Sequence, residues 1–468
     1  MKKILAIILV VALMLGTFAI AASAANFENL AEELYELELF RGTEAGFDLD
    51  RAPTRAQALV MLLRLLGLEE QAQTSEYENP FEDMAGHWAV SYAAFAYEHG
   101  LTTGTSANNF SPNALASAQM YVTFVLRALG YNDQAGDFTF ANALAFGTTV
   151  GVFSDLLDTG EFLRDHMVAV SYLALVAEPV GGEFPTLLEQ LIADGAVDAT
   201  AAEVVLRKVD LFEEYMVLSE ALAALTRFAL AGTMTLDATV AGQREVVDMD
   251  MEMSIIIDGN DMQMASVMQV TDAGEEMTIY QYVVGGYIYT DADGMRFRMP
   301  VEYNMDQLLA MENMFQVDFE VNLVTLILGT DIGRGADGAL VITYRAGFMD
   351  DMMRQLLTMM GPDALGLDDS MDFSFGDMVY RLYTDADGAL TRMAMFMDMT
   401  MTMEVEGAVV SIALRLSFDF EITATGTDVV IEFPDDLDEW PLLEDLEEAE
   451  EDAANGEEDE DDDEEAVG

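Results

Sequence analysis

The sequence contains no cysteine, only three histidines and, after the first 24 residues, a single lysine, Lys208. Without cysteine the chain forms no disulfides, so buried apolar side chains must stabilise it, and 468 residues can supply such cores in several domains. His87, His99 and His166 are dispersed, which does not fit a zinc site, and we predict no metal and no cofactor. Nucleic acid is excluded as a partner, because phosphate binding requires clustered lysine and arginine.

Acidic residues outnumber basic ones by 86 to 20, which gives a formal net charge of −66. Such a surface attracts cations loosely, and its self-repulsion should destabilise the chain at low salt. Twenty of the acidic residues lie between Asp435 and Glu465. A run of like charge is typical of disorder, so we expect an acidic, disordered tail over residues 435–468.

The first residues have the pattern of an export signal. Lys2 and Lys3 precede an apolar run from Ile4 to Ile20, and Ala22-Ser23-Ala24 offers the small residues that a signal peptidase reads. We predict a signal peptide over residues 1–24, cleaved near Ala24, and therefore a secreted protein. The alternative is an uncleaved anchor, but the run is slightly shorter than the roughly 20 apolar residues that span a bilayer.

Residues 27–178 contain a degenerate repeat in three copies, at about 27–70, 80–131 and 138–178. Gly42 precedes Arg64 by 22 residues in the first copy, and Gly104 precedes Arg127 by 23 residues in the second. The third, weaker copy has Gly151 at its turn. Each copy predicts a helix, a glycine turn, a loop and a second apolar helix, and three such units should pack around a common core. Arg64 and Arg127 fall near helix ends, where a cation complements the helix dipole, and we interpret both as structural.

Several of these residues resemble those of one family. The second copy contains Phe81-Glu82-Asp83, His87-Trp88-Ala89, Gly100, Gly104, Phe110 and Pro112, and the first contains Thr54-Arg55-Ala56-Gln57. Together they resemble the S-layer homology repeat. In that family three repeats fold into a pseudo-threefold helical trefoil, whose grooves bind secondary cell-wall polysaccharide, often capped by a pyruvylated, anionic sugar. The resemblance implies an all-helical cell-wall anchor over residues 25–180.

The resemblance also implies polysaccharide-binding roles for Thr54, Arg55, Trp88 and Arg164. A guanidinium matches the fork geometry of a sugar carboxylate, although each arginine could instead form an intramolecular ion pair at its helix start. Trp88 could stack on a sugar ring or fill the core. The second copy has Ser117-Ala118-Gln119 where the arginine motif belongs, so we expect only two grooves to carry the cation.

Residues 181–230 predict a helical connector, and residues 231–434 alternate apolar and polar side chains with the period of a β-strand. The predicted strands are Thr233–Val240, Val246–Ile257, Met262–Thr271, Glu276–Val284, Gly286–Thr290, Phe373–Thr384, Ala389–Glu404, Val409–Ile422 and Val429–Phe433. Helices are predicted near residues 305–316, 319–328 and 349–360. This order predicts a curved antiparallel sheet with helices against one face, and it resembles the half-barrel of lipoprotein-carrier and lipid-binding periplasmic proteins. The fold class is multidomain α + β.

Methionine is concentrated in the same region, with 26 of the 33 methionines beyond Leu230. At strand spacing, one side of the sheet would carry Met249, Met251, Met253, Met395, Met397, Met399, Met401 and Met403. Methionine repacks easily, so this face is a candidate site for an acyl chain or similar amphiphile, under covering helices that carry Phe315, Phe319 and Leu326. The alternative is an ordinary core beneath those helices.

Motifs of known catalytic type are absent from the sequence, among them Gly-x-Ser-x-Gly, His-Glu-x-x-His and a glycine-rich loop followed by lysine. We predict a non-enzymatic cell-surface protein that is anchored to wall polysaccharide and presents a β-rich module for an apolar ligand. Two alternatives stay open. One is a structural surface-layer component without a ligand, and the other is a wall-associated hydrolase that uses two of the many carboxylates.

Overall fold

The structure is a computed structural model, and its described residues fall into two compact units. It describes residues 27–42, 46–157, 160–240, 242–259, 261–272, 274–300, 322–349, 372–405 and 408–446. The first unit is drawn from Met1–Met216, Val321–Gly333 and Gly347–Gln355, and the second from Val217–Glu320, Arg334–Ala346 and Leu356–Gly468. The predicted signal peptide lies outside the described residues.

The first unit is helical, as predicted. The helices of the described chain, nearly all in this unit, are α1 (Glu28–Glu36), α2 (Arg55–Leu65), α3 (Glu69–Gln73), α4 (Val90–Glu98), α5 (Ala118–Ala128), α6 (Ala143–Thr149), α7 (Arg164–Val176), α8 (Leu187–Ala193), α9 (Ala199–Ala223) and α10 (Leu323–Gly329). Each copy of the repeat contains a short first helix (α1, α4 or α6) and a longer second helix (α2, α5 or α7). The predicted connector is helical, and its α8 packs on α7 as part of the first unit.

The three second helices form the centre of the first unit. Each of α2, α5 and α7 contacts the other two, and Leu59, Val122 and Leu173 are fully buried among them. Tyr121 of α5 and Ser171 of α7 share a hydroxyl hydrogen bond of 2.7 Å in this core, where burial raises the pKa of Tyr121. Three helices in mutual contact are what a common core of three repeats requires. The trefoil symmetry itself stays a prediction.

The glycine turn of the second copy leaves no room for a side chain. Gly104 has a φ of +75°, which favours glycine, and a Cβ there would lie 2.5 Å from the Phe81 ring and 2.6 Å from the carbonyl oxygen of Asn109. The repeat therefore places glycine where the chain turns back sharply against its own core.

The second unit is dominated by strands. The strands of the described chain are β1 (Arg227–Val240), β2 (Gln243–Asp258), β3 (Asp261–Asp272), β4 (Glu275–Val284), β5 (Tyr287–Ala292), β6 (Met295–Pro300), β7 (Thr330–Arg334), β8 (Leu340–Tyr344), β9 (Asp372–Thr384), β10 (Leu390–Val405) and β11 (Ala408–Thr425). All but β7 belong to the second unit, whereas residues 330–333 of β7 belong to the first. The strands form one open sheet in the order β6-β5-β4-β3-β2-β1-β11-β10-β9-β8-β7. The neighbouring strands pair antiparallel, as predicted, for example β1 with β2 and β10 with β11.

Eight of the nine predicted strands are confirmed, seven of them within three residues at each end, whereas β1 begins six residues before the predicted start. The strand predicted over Val429–Phe433 is wrong, because that segment is not part of any described strand. The short strands β6, β7 and β8 were not predicted. Each has only five or six residues, which is too short for a clear period of two.

The pairing register places the predicted methionines of β2 and β10 on one face of the sheet. Met249 lies opposite Met234, Met234 opposite Phe418, and Phe418 opposite Met395. Directly opposite residues project to the same side, so this row crosses four strands on one apolar face. The acidic residues between the methionines of β2 project to the other side, where they are exposed.

The prediction of covering helices is only partly met and needs one correction. Of the three predicted helices, the first falls outside the described residues, and the third lies there except for Met349. The middle one exists as α10, but it belongs to the first unit and packs on α7, where Leu326 is fully buried. Leu326 is therefore a core residue of the first unit. Phe315 and Phe319 lie outside the described residues.

None of the described helices combines the length and the apolar character needed to cross a membrane.

Candidate functional site

Arg55 lies where the first copy of the repeat meets the loop of the second. Its backbone N–H donates to the carbonyl oxygen of Ala114 at 2.9 Å, and its Nε donates to that of Phe110 at 2.9 Å. The guanidinium carbon lies 5.1 Å from the centre of the Phe110 ring, within cation–π range. Burial lowers the pKa of Arg55, and the nearby negative charge of Asp83 opposes that shift. We call this contact the Arg55 junction.

Arg164 makes an equivalent contact between the third copy and the loop of the first, the Arg164 junction. Its backbone N–H donates to the carbonyl oxygen of Arg51 at 2.9 Å, and its Nε donates to that of Phe47 at 3.1 Å. The guanidinium carbon lies 5.2 Å from the Phe40 ring centre. Phe47 and Arg51 stand 63 residues before Phe110 and Ala114, so both junctions use the same loop positions.

Neither of the two competing interpretations of these arginines is met in full. Among the described residues, no carboxylate oxygen lies within 4.0 Å of the guanidinium nitrogens of Arg55 or Arg164, so the alternative of an intramolecular ion pair is not met in this part of the chain. Each arginine instead fixes a loop by donating to a backbone carbonyl oxygen. Binding of an anionic sugar by either residue stays a prediction.

The second copy has no arginine at the equivalent position, as predicted. Ser117 caps α5 by accepting from the N–H of Met120, just as Thr54 caps α2 by accepting from that of Gln57. This alignment places Ala118 where the other two second helices begin with arginine. The adjacent Gln119 donates from its side chain to the carbonyl oxygen of Phe140.

Four arginines gather at the Arg164 junction, and sequence reasoning missed this feature. We call Arg41, Arg51, Arg64 and Arg164 the basic cluster. Burial lowers the pKa of Arg164, nearby Asp48 opposes the shift, and the positive charges of Arg51 and Arg64 reinforce it. Arg164 also donates from Nη2 to the backbone oxygen of Arg41 at 3.3 Å.

Among the described residues, the arginines of the basic cluster form ion pairs with two carboxylates. Glu69 pairs with Arg64 at 2.6 Å and with Arg41 at 3.3 Å, while Asp48 pairs with Arg51 at 3.5 Å. Arg41 and Arg51 remain well exposed, at 62% and 57%. Among the described residues, the cluster thus concentrates four arginines with two ion-paired carboxylates, on a chain whose net charge is −66.

An exposed tyrosine accompanies each junction and was also missed. Tyr35 is 51% exposed and meets Phe47 edge-on with ring centres 5.8 Å apart, while Tyr97 is 44% exposed and meets Phe81 at 5.5 Å. Phe81 in turn contacts Phe110 of the Arg55 junction at 5.7 Å. The two tyrosines stand 62 residues apart at matching positions of the repeat, and that spacing was the signal available in the sequence.

Trp88 and Thr54 lie in different environments: Trp88 is an exposed aromatic side chain, and Thr54 is a helix cap. Trp88 is 59% exposed, with its ring 5.4 Å from that of His87 and 6.2 Å from that of Tyr92, so the alternative that it fills the core is wrong. Thr54 forms a capping box, in which its N–H donates to Oε1 of Gln57 at 2.9 Å. Contact of either residue with a sugar stays a prediction.

The interpretation of Arg64 and Arg127 as structural is supported by their ion pairs. Each guanidinium makes a two-point contact with the loop after its helix, Arg64 with Glu69 and Arg127 with Asp133. The Arg127 pair is the more buried, at 9% and 12% exposure. Its hydrogen bonds hold the pKa of Asp133 below the usual range.

His166 occupies in α7 the position that Gln57 occupies in α2, and it predicts a pH effect. Nδ1 of His166 accepts from the N–H of Leu163 at 3.1 Å, which requires an unprotonated Nδ1. Burial lowers its pKa, opposed by a backbone hydrogen bond at Glu161. The unfolded chain then binds the proton more readily, so this group's stabilisation is complete above pH of about 6.5 and is lost as the pH falls through the folded-state pKa.

We therefore expect His166→Gln, which keeps an acceptor at this position, to gain stability relative to wild type as the pH falls from about 7.5 to 5.5. Melting temperatures of the two chains measured side by side test this, because titration of the carboxylates affects both equally. A difference in melting temperature that stays constant over this range would contradict the assignment.

The methionine face is mostly buried. Met249, Met251, Met253 and Met395 are between 2% and 5% exposed, whereas Met397, Met399 and Met401 are partly exposed. The side chain of Met403 lies outside the described ones. A cavity of about 280 Å³ is lined by residues assigned to both faces of the sheet, among them Thr233, Ala394, Met395 and Phe418. The hypothesis of an apolar ligand on the methionine face stays a prediction.

Among the described residues, no group of three or more histidine or acidic side chains could hold a metal ion.

Comparison with known proteins identifies one segment. Residues 80–117 match the model of the S-layer homology domain, and this confirms the resemblance of the second copy. The chain is 32% identical over 146 residues to a cell surface protein of Thermoanaerobacter kivui, a match that covers 28% of this chain and 19% of that protein. It is 28% identical over 202 residues to an endoglucanase of Bacillus sp. (strain KSM-635), covering 39% of this chain and 20% of the enzyme.

These matches thus span about a fifth of the length of each relative. Among solved structures, the crystal structure of LprF from Mycobacterium bovis is similar at 12% identity and a TM-score of 0.24, covering 49% of this chain and 97% of that chain.

Proposed function

We propose that this protein is anchored to the cell wall by its helical unit, and that the basic cluster beside the Arg164 junction binds an anionic wall polysaccharide. The observation that carries the proposal is a concentration of arginine at one point of a strongly acidic chain. Four arginines there share two carboxylates. The S-layer homology domain at residues 80–117 and the similarity to a cell surface protein support an anchoring role.

The chemistry of the cluster fits a sugar that carries a carboxylate. A guanidinium can hold a carboxylate through two parallel N–H···O bonds, and Arg41 and Arg51 have enough exposure to do so. Tyr35 adds an exposed ring against which the apolar face of a pyranose can pack. The net charge of the chain would repel an anionic polymer at long range, so binding depends on these local contacts.

The Arg55 junction is a second candidate groove of the same kind. It has the exposed Tyr97 and the half-buried Arg55, but the nearby charge is that of Asp83 rather than a further arginine. We infer that the Arg164 junction binds the anionic end of the polymer and that the Arg55 junction contributes less. The missing arginine in the second copy leaves the third groove without a cation, in line with a pseudo-threefold anchor that has two working sites.

Sedimentation of the full mature chain with protein-free walls from its own source tests the proposal. We expect the double substitution Arg41→Gln with Arg51→Gln to weaken binding by about 1–3 kcal/mol at about 0.15 M salt, because two charge-assisted contacts to the sugar are lost. The control is Arg207→Gln, which removes one positive charge, half of the change in the double variant, from a side chain of similar exposure, 65%, on α9. Equal sedimentation of the double variant and the control would refute a role for the cluster.

A further inference from the structure

The segment 434–446, which we call the strap, folds back on the polar side of the sheet. Leu437 and Trp440 are 8% and 4% exposed and form a small core with Tyr289. The Trp440 ring meets those of Tyr282 and Tyr289 edge-on, with centres 6.3 Å and 5.9 Å apart. The expectation of disorder from residue 435 onward is therefore wrong for residues 435–446, because Leu437 and Trp440 supply apolar anchors within the acidic run.

The strap also pairs with the edge of the sheet. The strand β6 ends the strand order, and the N–H of its Arg298 donates to the carbonyl oxygen of Pro441 at 2.8 Å. Arg298 and Leu442 form a parallel β-bridge at this point. Addition of an extended segment to a free sheet edge is one of the standard ways in which a protein binds a peptide in trans.

Charge complements this apolar contact. Arg296 of β6 lies 5.2 Å from the Trp440 ring centre and pairs with Asp436 of the strap at 2.9 Å. The strap carries further acids at Asp435, Asp438 and Glu439. We call the surface beneath it, formed by Tyr282, Tyr287, Tyr289, Arg296 and Arg298, the tyrosine face.

The strap is joined to the sheet by residues 429–433, which are unevenly seated on it. They belong to no strand, and Val430 is 71% exposed, whereas Val429 is 3% exposed and the Phe433 ring packs against that of Tyr282 with centres 6.2 Å apart. The contacts beyond Val430 are thus made by one continuous segment that includes Phe433. The same segment of another molecule could make these contacts equally.

We propose that the tyrosine face is an acceptor site for the strap of a second copy of this chain, and that copies are joined by strap exchange. Exchange of an identical element is a low-cost route to association, because every contact made within one molecule is remade between two. The acidic side chains of the strap and the arginines of the face carry opposite charges, so the strap of a second copy matches the face in charge as well as in apolar contact. The inference is independent of wall binding, since it concerns the second unit alone.

A nicked chain tests the proposal without disturbing the fold. A protease site inserted between Val430 and Ile431 allows the strap to be cut while every native residue remains. The cut chain is then mixed with a fluorescein-labelled peptide of residues 431–446 and followed by anisotropy. We expect it to release its own strap and bind the peptide, while the uncut chain binds about a hundredfold more weakly because its own strap competes at high effective concentration.

The matched control is the same peptide with Trp440→Ala, which we expect to bind about 30-fold more weakly or worse, as for loss of a buried aromatic anchor. Three results would each overturn the proposal. The cut chain could lose its strap and bind no peptide, it could keep its strap without exchange, or it could bind the two peptides equally.

Discussion

Replacing Lys208 by methionine should lower the free energy of unfolding of the helical unit by about 3 kcal/mol, the low end of the range for breaking a buried ion pair. Lys208 Nζ pairs with Oε1 of Glu33 and lies 3.8 Å from Oδ1 of Asp331. The other oxygen of Glu33 accepts from the hydroxyl of Tyr172 at 2.6 Å. With Glu33 only 15% exposed, the substitution leaves a carboxylate that water cannot fully solvate.

Urea unfolding followed by circular dichroism at 222 nm, where helices dominate the signal, measures this effect. The control is Arg207→Gln at the adjacent residue, whose exposed pair with Glu203 on α9 is worth about 0.5 kcal/mol or less. Adding Glu33→Gln to Lys208→Met should restore part of the loss, because the stranded charge is then gone. If Lys208→Met were as stable as the Arg207 control, the buried pair would contribute nothing.

The substitution Asp83→Ala should destabilise the same unit by about 3 kcal/mol, because one carboxylate serves two backbone donors. Asp83 accepts from the N–H of Phe110 at 2.8 Å and from that of Ser111 at 2.7 Å. Ser111 has a φ of +61°, a conformation that these bonds help to hold against its cost. The loop they fix is the one whose carbonyl oxygen receives Nε of Arg55.

The neighbouring Glu82→Ala is the control for that substitution. Glu82 accepts only one exposed bond, from Asn108 at 3.3 Å, so its loss should cost about 0.5 kcal/mol or less. Thermal unfolding of the two variants gives the comparison. Equal melting temperatures would contradict the role assigned to Asp83.

The strands and the repeat could be predicted because each leaves a local signal. In β2 the methionines alternate with acids, and burial alternates in the same way, since one face is covered and the other is solvated. In the repeat, Gly104 and Gly151 both take positive φ at the turn. A position with positive φ favours glycine strongly, because any other side chain adds a steric cost there, and this preference does not depend on the rest of the fold.

The basic cluster could not be predicted, because no stretch of sequence contains it. Arg41, Arg51 and Arg64 come from the first copy, and Arg164 comes from the third. They lie together where the backbone N–H of Arg164 donates to the carbonyl oxygen of Arg51 across the junction. The contact depends on tertiary packing of two copies more than 100 residues apart. The sequence left open whether Trp88 is exposed or buried for a similar reason, since it does not show which side of a short helix start faces the core.

The strap was missed because charge dominates its composition. Acids surround Leu437 and Trp440, and an average over the run indicates disorder, although two well-placed apolar side chains are enough to seat a terminal segment on a tyrosine-rich surface.

The most direct test of wall anchoring compares binding of the chain without its predicted signal peptide to protein-free walls before and after mild acid or hydrofluoric acid has removed the secondary polysaccharide. We expect the chain to sediment with the intact walls and to stay in the supernatant with the stripped ones. Free anionic polymer released from the walls should compete for binding. Equal sedimentation with intact and stripped walls would contradict this expectation, because the helical unit would then recognise something other than the polysaccharide.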